Sequence, residues 1–365
     1  MRKQYVDKLV EMLKETELDA VLICPSEELK FLTGFTPMMC ERFQGMFLKK
    51  DGTMFYICNL LYGDQMRTML KNEIPVYTWF DGDGMTESVK PILEKQGLLG
   101  CTIGVNSSAQ AFNILEISDK MNLTFKNAKP LLEELRIRKT PEEQQNLRRA
   151  AAIADAAYEP VIHFIKPGKK EAEIRDFLFA EMRKNGGTKP WAIVASGPNS
   201  SFPHYSEFER TVEIGDAIVL DYGCEYQEMQ SDMSRSVFVG SVTEEQRKIY
   251  NLVDRAQLAA QAAAVEGAWI PDVDQASRTV LDEQGYAKTL INRVGHGIGY
   301  MMHEAPDIKQ CNPRRLERGM AFSVEPGTYF PNRYGMRIEN ILMINERGET
   351  EILNHARRDL IVIEI

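Results

Sequence analysis

Along the first 128 or so positions the apolar and polar residues switch repeatedly between a helical and a strand period. A helical pattern ends near Glu17 and gives way to the apolar run 20–24, short enough to be a buried strand. Met46-Phe47-Leu48 and Met54-Phe55-Tyr56-Ile57 flank Asp51-Gly52, a dipeptide suited to a hairpin turn. Strand-like runs at 75–79, 101–105 and 123–125 are separated by helical patterns, which predicts an α/β domain.

The pattern changes at 136–140, a charged connector. Thr140-Pro141-Glu142-Glu143 combines a capping box with proline at the first helical position, so a long helix should begin there. The boundary is therefore set near residue 135, dividing the chain into 1–135 and 136–365. The helix runs along an alanine-rich face towards Pro160, Lys166-Pro167-Gly168 closes the unit, and a second helix is predicted from about Glu171 to Lys184. After Gly186-Gly187, Ala192-Ile193-Val194 and Ala217-Ile218-Val219-Leu220 have the character of buried strands. Helical patterns fill 244–267 and follow Pro271, and apolar or alternating segments at 321–324, 336–344 and 360–365 end the chain. Helices around a curved, largely antiparallel sheet would accommodate this order.

Composition narrows the classes. The 365 residues exceed one typical hydrophobic core, in keeping with two domains. A net charge of −9 argues against a nucleic-acid partner, since phosphate binding needs a basic face. The six cysteines show no Cys-x-x-Cys spacing, so reduced, mostly buried thiols in a cytoplasm are expected rather than a zinc ribbon or a disulfide framework. No apolar run approaches the roughly 20 residues of a membrane span, and no signal peptide or anchor is expected.

The chemistry concentrates in the second half. Asp221 closes the apolar run Ile218-Val219-Leu220, where an ionised carboxylate needs a counter-charge such as a metal. Asp232 follows a polar turn at 223–230, and two strands folding back would bring the two acids together. Either aspartate alone is equally well read as the cap of a turn. His296 lies in Gly295-His296-Gly297-Ile298-Gly299, where glycines clear space for close backbone approach beside an imidazole. Glu325 closes Phe322-Ser323-Val324, and strand alternation puts Arg337 and Glu339 on one face with Ile338 on the other. Four carboxylates and one imidazole are a donor set preferred by a hard or borderline divalent pair.

In order and local context Asp221, Asp232, His296, Glu325 and Glu339 resemble the five ligands of the pita-bread metallopeptidases. Phe31-Leu32-Thr33-Gly34-Phe35 is similar to the signature of the creatinase-like N-terminal domain that marks the Xaa-Pro dipeptidase (prolidase) and Xaa-Pro aminopeptidase branch. The resemblance covers nearly the whole chain. It implies a creatinase-like α/β domain at 1–135 and an α+β pita-bread catalytic domain at 136–365. It also implies two divalent ions per chain, manganese first with cobalt or zinc as alternatives, acting on the Xaa-Pro bond of a small peptide through a bridging hydroxide. Asp232 and Glu339 would bridge the ions, Asp221 would hold one, and His296 with Glu325 the other. Glu325 would relay the proton. His303 in His303-Glu304-Ala305-Pro306 would stabilise the tetrahedral oxyanion, and His204 in Phe202-Pro203-His204-Tyr205 would contact substrate. Arg337 is placed on the substrate side, and the resembling prolidases imply a homodimer. His163 and His355 match nothing.

The chain departs from that pattern at Asn292, where Xaa-Pro enzymes commonly carry a histidine four residues before the ligand histidine. Metal binding should survive, while substrate choice is put in doubt. The competing expectations are another hydrolase or lyase acting on a non-proline small amide, and a non-catalytic binding protein; members of both kinds lose ligands, whereas this chain keeps all five.

Overall fold

The computed structural model describes residues 1–365, which form two compact units, Met1–Arg136 and Ile137–Ile365.

The first unit runs α1 (Lys3–Lys14), β1 (Ala20–Ile23), α2 (Glu27–Thr33), β2 (Gly45–Lys49), β3 (Met54–Asn59) and α3 (Gly63–Met69). It continues with β4 (Val76–Trp79), α4 (Met85–Lys95), β5 (Thr102–Val105), α5 (Ala111–Met121), β6 (Thr124–Asn127) and α6 (Lys129–Glu133). The six strands form one mixed sheet in the order β4-β3-β2-β1-β5-β6, which is the α/β domain that the alternating periods predicted. Asp51-Gly52 turns β2 back on β3 with Leu48 opposite Met54, and Gly52 at φ +85° takes a conformation that glycine adopts without strain. Phe47 and Phe55 stack across this hairpin, centroids 4.9 Å apart, in a core that also holds Leu22, Ile57 and Ile103.

The second unit opens with α7 (Pro141–Phe164), α8 (Glu171–Lys184), β7 (Thr188–Ser196), β8 (Ala217–Tyr226), β9 (Met229–Gln230) and β10 (Met233–Val239). Then come α9 (Glu244–Ala263), α10 (Ile270–Asp282), β11 (Gly295–Gly297), β12 (Glu304–Ile308), β13 (Ala321–Val324) and β14 (Gly327–Phe330). The last strands are β15 (Tyr334–Arg337), β16 (Asn340–Ile344), β17 (Thr350–Ile352) and β18 (Val362–Ile363). They assemble as two five-stranded sheets and one hairpin, antiparallel throughout except where β18 pairs with β10. Helices α7 and α8 cover β7 and β8, while α9 lies on β15 and α10 on β12.

The capping box forms. Thr140 Oγ1 accepts the Glu143 amide at 3.3 Å, and Glu143 Oε2 accepts the Thr140 amide at 2.9 Å. Pro160 does not end the helix. Its missing donor faces the carbonyl of Ala156 on the exposed side, while Ala157, Tyr158, Val161 and Ile162 keep the other face buried as far as Phe164.

Further expectations are revised. Asp221 stands inside β8 rather than at its end, because pairing continues on both sides, with Ile193 of β7 and Ser234 of β10 opposite it. The strand persists to Tyr226, so the polar turn shrinks to Gln227 and Glu228, both at positive φ. The run 336–344 breaks in two, since β15 pairs with β14 and β16 pairs with β13. The alternation survives the break: Ile338 packs in an apolar cluster with Phe238 and Met336, while Arg337 and Glu339 face a cavity. All six cysteines are free, but only Cys24, Cys58 and Cys224 are buried, and Cys311 is exposed. No helix is long and apolar enough to cross a membrane.

Candidate active site

A cavity of about 620 Å³ in the second unit is lined by every residue singled out above: Asp221, Asp232, His296, Glu325, Glu339, His204, His303, Arg337 and Asn292. They come from elements far apart in the chain. β8 supplies Asp221, the β9–β10 junction Asp232, β11 His296, the end of β13 Glu325, and the β15–β16 junction Arg337 and Glu339.

Three glycines allow β11 to hold its histidine so deeply. A Cβ at Gly295 would fall 1.9 Å from the Ser323 carbonyl oxygen, one at Gly297 2.3 Å from Ala305 backbone, and one at Gly299 2.3 Å from Lys139 Cε. Backbone therefore excludes any side chain at Gly295 and Gly297, while one at Gly299 would displace the Lys139 side chain. The His296 amide donates to Ser323 Oγ at 3.0 Å, and that hydroxyl donates to Glu325 Oε1 at 3.2 Å, which ties the two side chains together. His296 Nδ1 lies 3.1 Å from the Gly297 carbonyl, which only accepts, so Nδ1 carries the proton. Nε2 then turns a lone pair towards Glu325 Oε1 at 3.2 Å and Asp232 Oδ2 at 3.5 Å. Burial lowers the His296 pKa to about 4, so the ring is neutral at neutral pH and these contacts are not salt bridges.

A lone pair facing carboxylate oxygens is repulsive unless a cation or a proton lies between them. The carboxylates give the same indication. Asp221 Oδ1, Asp232 Oδ1 and Glu339 Oε1 are buried without a hydrogen-bond partner. Burial, reinforced by Glu339, Asp221 and Glu325, pushes the Asp232 carboxyl well above the ordinary range, and burial with Glu325 and Asp221 does the same to Glu339. Ligand atoms of Asp232, His296 and Glu339 lie within 4.8 Å of one another. Buried oxygens and one imidazole nitrogen without partners fit a divalent cation.

The remaining oxygens are held by a scaffold. Arg337 pairs with Asp221 Oδ2, donates through Nε to Ser234 Oγ at 2.8 Å and through Nη1 to Tyr329 Oη at 2.8 Å and the Pro203 carbonyl at 3.3 Å. Ser234 Oγ in turn donates to Glu339 Oε2 at 2.7 Å. Arg337, expected on the substrate side, therefore spends its donors on orienting Asp221 and Ser234. His303 packs edge-on against His296 with ring centroids 4.1 Å apart, and burial, with the His296 and Arg293 contributions behind it, lowers its pKa to about 4. Next to it Glu304 forms a fully buried ion pair with Lys139 at 2.5 Å and accepts the Met301 amide at 3.1 Å.

Sequence reasoning missed Trp191, Ile193, Arg293, Met302 and Lys309, which also line the cavity. Ile193 was read as fully buried core; its place opposite Asp221 in the β7–β8 register turns it to the cavity instead. Trp191 lies on the same face of β7 by alternation.

The fold and the carboxylate-imidazole cluster define a metallohydrolase. The chain belongs to metallopeptidase family M24, whose model matches residues 145–346, and the creatinase/prolidase N-terminal domain matches residues 6–138. It is 32% identical to the Xaa-Pro dipeptidase of Pyrococcus furiosus over 97% of this chain and 99% of that one. Among solved structures, a dipeptidase PepE from Mycobacterium ulcerans superposes with a TM-score of 0.92 at 29% identity, covering 100% of this chain and 98% of that one. A prolidase from Thermococcus sibiricus gives 0.90 at 28% identity, with 99% of each chain covered. The protein is thus an enzyme of the metallopeptidase class, with the creatinase-plus-pita-bread architecture, and its family implies divalent metal cofactors.

Proposed function

We propose that the protein is an Xaa-Pro dipeptidase that hydrolyses the bond before proline in dipeptides or short peptides, with 136–365 as its catalytic and 1–135 as its creatinase-like domain. The observation that carries this reading is the neutral His296 whose Nε2 lone pair faces Asp232 and Glu325 beside three buried, unpartnered carboxylate oxygens. The Xaa-Pro dipeptidases of similar length support the substrate class. Two divalent ions, manganese first with cobalt or zinc as alternatives, would be held by Asp221, Asp232, His296, Glu325 and Glu339; when bound they lower the pKa of water and polarise the scissile carbonyl.

The chain's own residues do the rest. Asp232 and Glu339 would be shared by the two ions, Asp221 would hold one, and His296 with Glu325 would hold the other. Glu325 accepts the proton released by the attacking water and passes it to the leaving prolyl nitrogen. His303, neutral at working pH, donates to the oxyanion as it forms, and His204 contacts the substrate. Arg337 holds Asp221 in place. A cytoplasmic homodimer completes the reading. Six free thiols support the compartment, and the resemblance to prolidases supports the dimer.

Metal content and a substrate panel test this together. Wild type should carry about two ions per chain and, with manganese, cleave Xaa-Pro dipeptides in preference to proline-free controls. Asp232→Ala and Glu339→Ala should each lose an ion and the activity. Full activity with unchanged metal in either variant overturns the site assignment. A second reading, hydrolysis of a different small amide or a longer peptide, is favoured by Asn292, whose buried Oδ1 has no partner in the cavity wall; equal cleavage of proline-free substrates would select it.

A further inference from the structure

Three side chains lining the cavity carry permanent positive charge: Arg293, Lys309 and Arg337. Arg337 is buried and engaged with Asp221, Ser234 and Tyr329. The other two differ from it. Their side chains are 34% and 41% exposed, and both flank Asp307, Arg293 Nη1 at 3.3 Å from Oδ1 and Lys309 Nζ at 2.7 Å from Oδ2. One carboxylate between two cations leaves a net positive charge.

The arrangement is built by the fold. β11 and β12 pair with Gly295 opposite Ile308, and beside this pairing the Arg293 guanidinium reaches Asp307. The Val294 amide donates to the Ile308 carbonyl at 3.1 Å, and Arg278 Nη2 donates to the Asn292 carbonyl at 2.8 Å. Arg293 Nε is nevertheless buried without an acceptor. A buried N–H on a charged group is costly until an acceptor arrives, and a carboxylate matches the planar guanidinium with two parallel bonds.

A dipeptide supplies such an acceptor. Its free carboxylate lies one residue beyond the scissile carbonyl, about 3.6 Å of extended chain, so its receptor must line the cavity that holds the reacting bond. Resting on the dipeptidase reading, we propose that Arg293 and Lys309, bridged by Asp307, receive the C-terminal carboxylate of the substrate and so select dipeptides over C-terminally amidated or longer peptides. A further residue would replace that carboxylate by a neutral amide and leave Arg293 Nε with a weaker partner. Arg293 thereby supplies the cation that Asn292, one position earlier, does not.

The test compares Ala-Pro with its C-terminal amide on the manganese-loaded wild type, Arg293→Ala, Arg293→Lys and Lys309→Met. Wild type should prefer the free acid. Arg293→Ala should raise KM for Ala-Pro about tenfold or more with kcat within about threefold, while the amide changes by less than about threefold. Arg293→Lys should recover part of the loss, and Lys309→Met should shift KM in the same direction by less. Competitive inhibition by free proline should weaken in parallel, and that by prolinamide should not. Amide turnover and thermal melting report that each variant is folded. If Arg293→Ala keeps the wild-type preference for the free acid, or loses acid and amide equally, the carboxylate assignment is wrong while the dipeptidase reading stands. If wild type cleaves no dipeptide, the dipeptidase reading falls and this assignment with it.

Discussion

Replacing Lys139 by methionine isolates an interaction that braces the cavity wall without lining it. Lys139 Nζ meets Glu304 Oε1 at 2.5 Å, with 0% and 1% of the two side chains exposed, so neither charge has bulk water to turn to. Glu304 adjoins His303, and its other oxygen accepts the Met301 amide, so the pair braces the segment that presents His303. Removing one member of a buried ion pair costs about 3–5 kcal/mol, because the remaining charge is stranded. For a unit the size of 137–365, each kcal/mol shifts the melting temperature by about 2–4 °C, so Lys139→Met should lower it by about 6–20 °C. Replacing both partners by apolar residues of similar volume removes the stranded charge, so Lys139→Met with Glu304→Leu should regain most of the loss. The assay is scanning calorimetry of metal-loaded protein on wild type, both singles and the double variant. A shift below about 2 °C in Lys139→Met, or a double variant no more stable than the worse single, would refute the reasoning.

Two further outcomes follow from the site. Asp232 and Glu339 have carboxyls raised by burial and by neighbouring carboxylates, so in metal-stripped protein the folded state holds protons that the unfolded chain releases above about pH 4. Their contribution is therefore most favourable below the ordinary carboxylate range and declines as pH rises, and manganese, which competes with those protons, should raise the melting temperature more at pH 8 than at pH 5. At 100 times its dissociation constant an ion contributes about 2.7 kcal/mol per site, and a gain independent of pH would contradict the cluster's assignment. His303→Ala should lower kcat on Xaa-Pro dipeptides by about 10²–10³ with KM little changed, since an oxyanion donor acts in the transition state; a loss confined to KM would make His303 a substrate contact instead.

Much of this molecule is written in short stretches of chain. The Asp51-Gly52 hairpin, the Thr140 capping box and the 171–184 helix form as their local chemistry dictates, because turn geometry, caps and apolar period act over a few residues. Asp221 and Glu325 were legible because each closes an apolar run where an unpaired charge is not tolerated, and His296 because it lies among glycines whose missing Cβ atoms make room for it, while Asp232 and Glu339 joined them through the family resemblance. Tertiary structure alone decided the partners. Arg337 reaches Asp221 across 116 positions, Lys139 reaches Glu304 across 165, and Arg293 and Lys309 share Asp307 where β11 lies against β12. It also decided that β8 continues past Asp221 and that 336–344 divides between two sheets, since strand ends are set by the partners available on either side. A charged side chain states in sequence that it needs a counter-charge; which one it finds depends on long-range packing, and no local period encodes that choice.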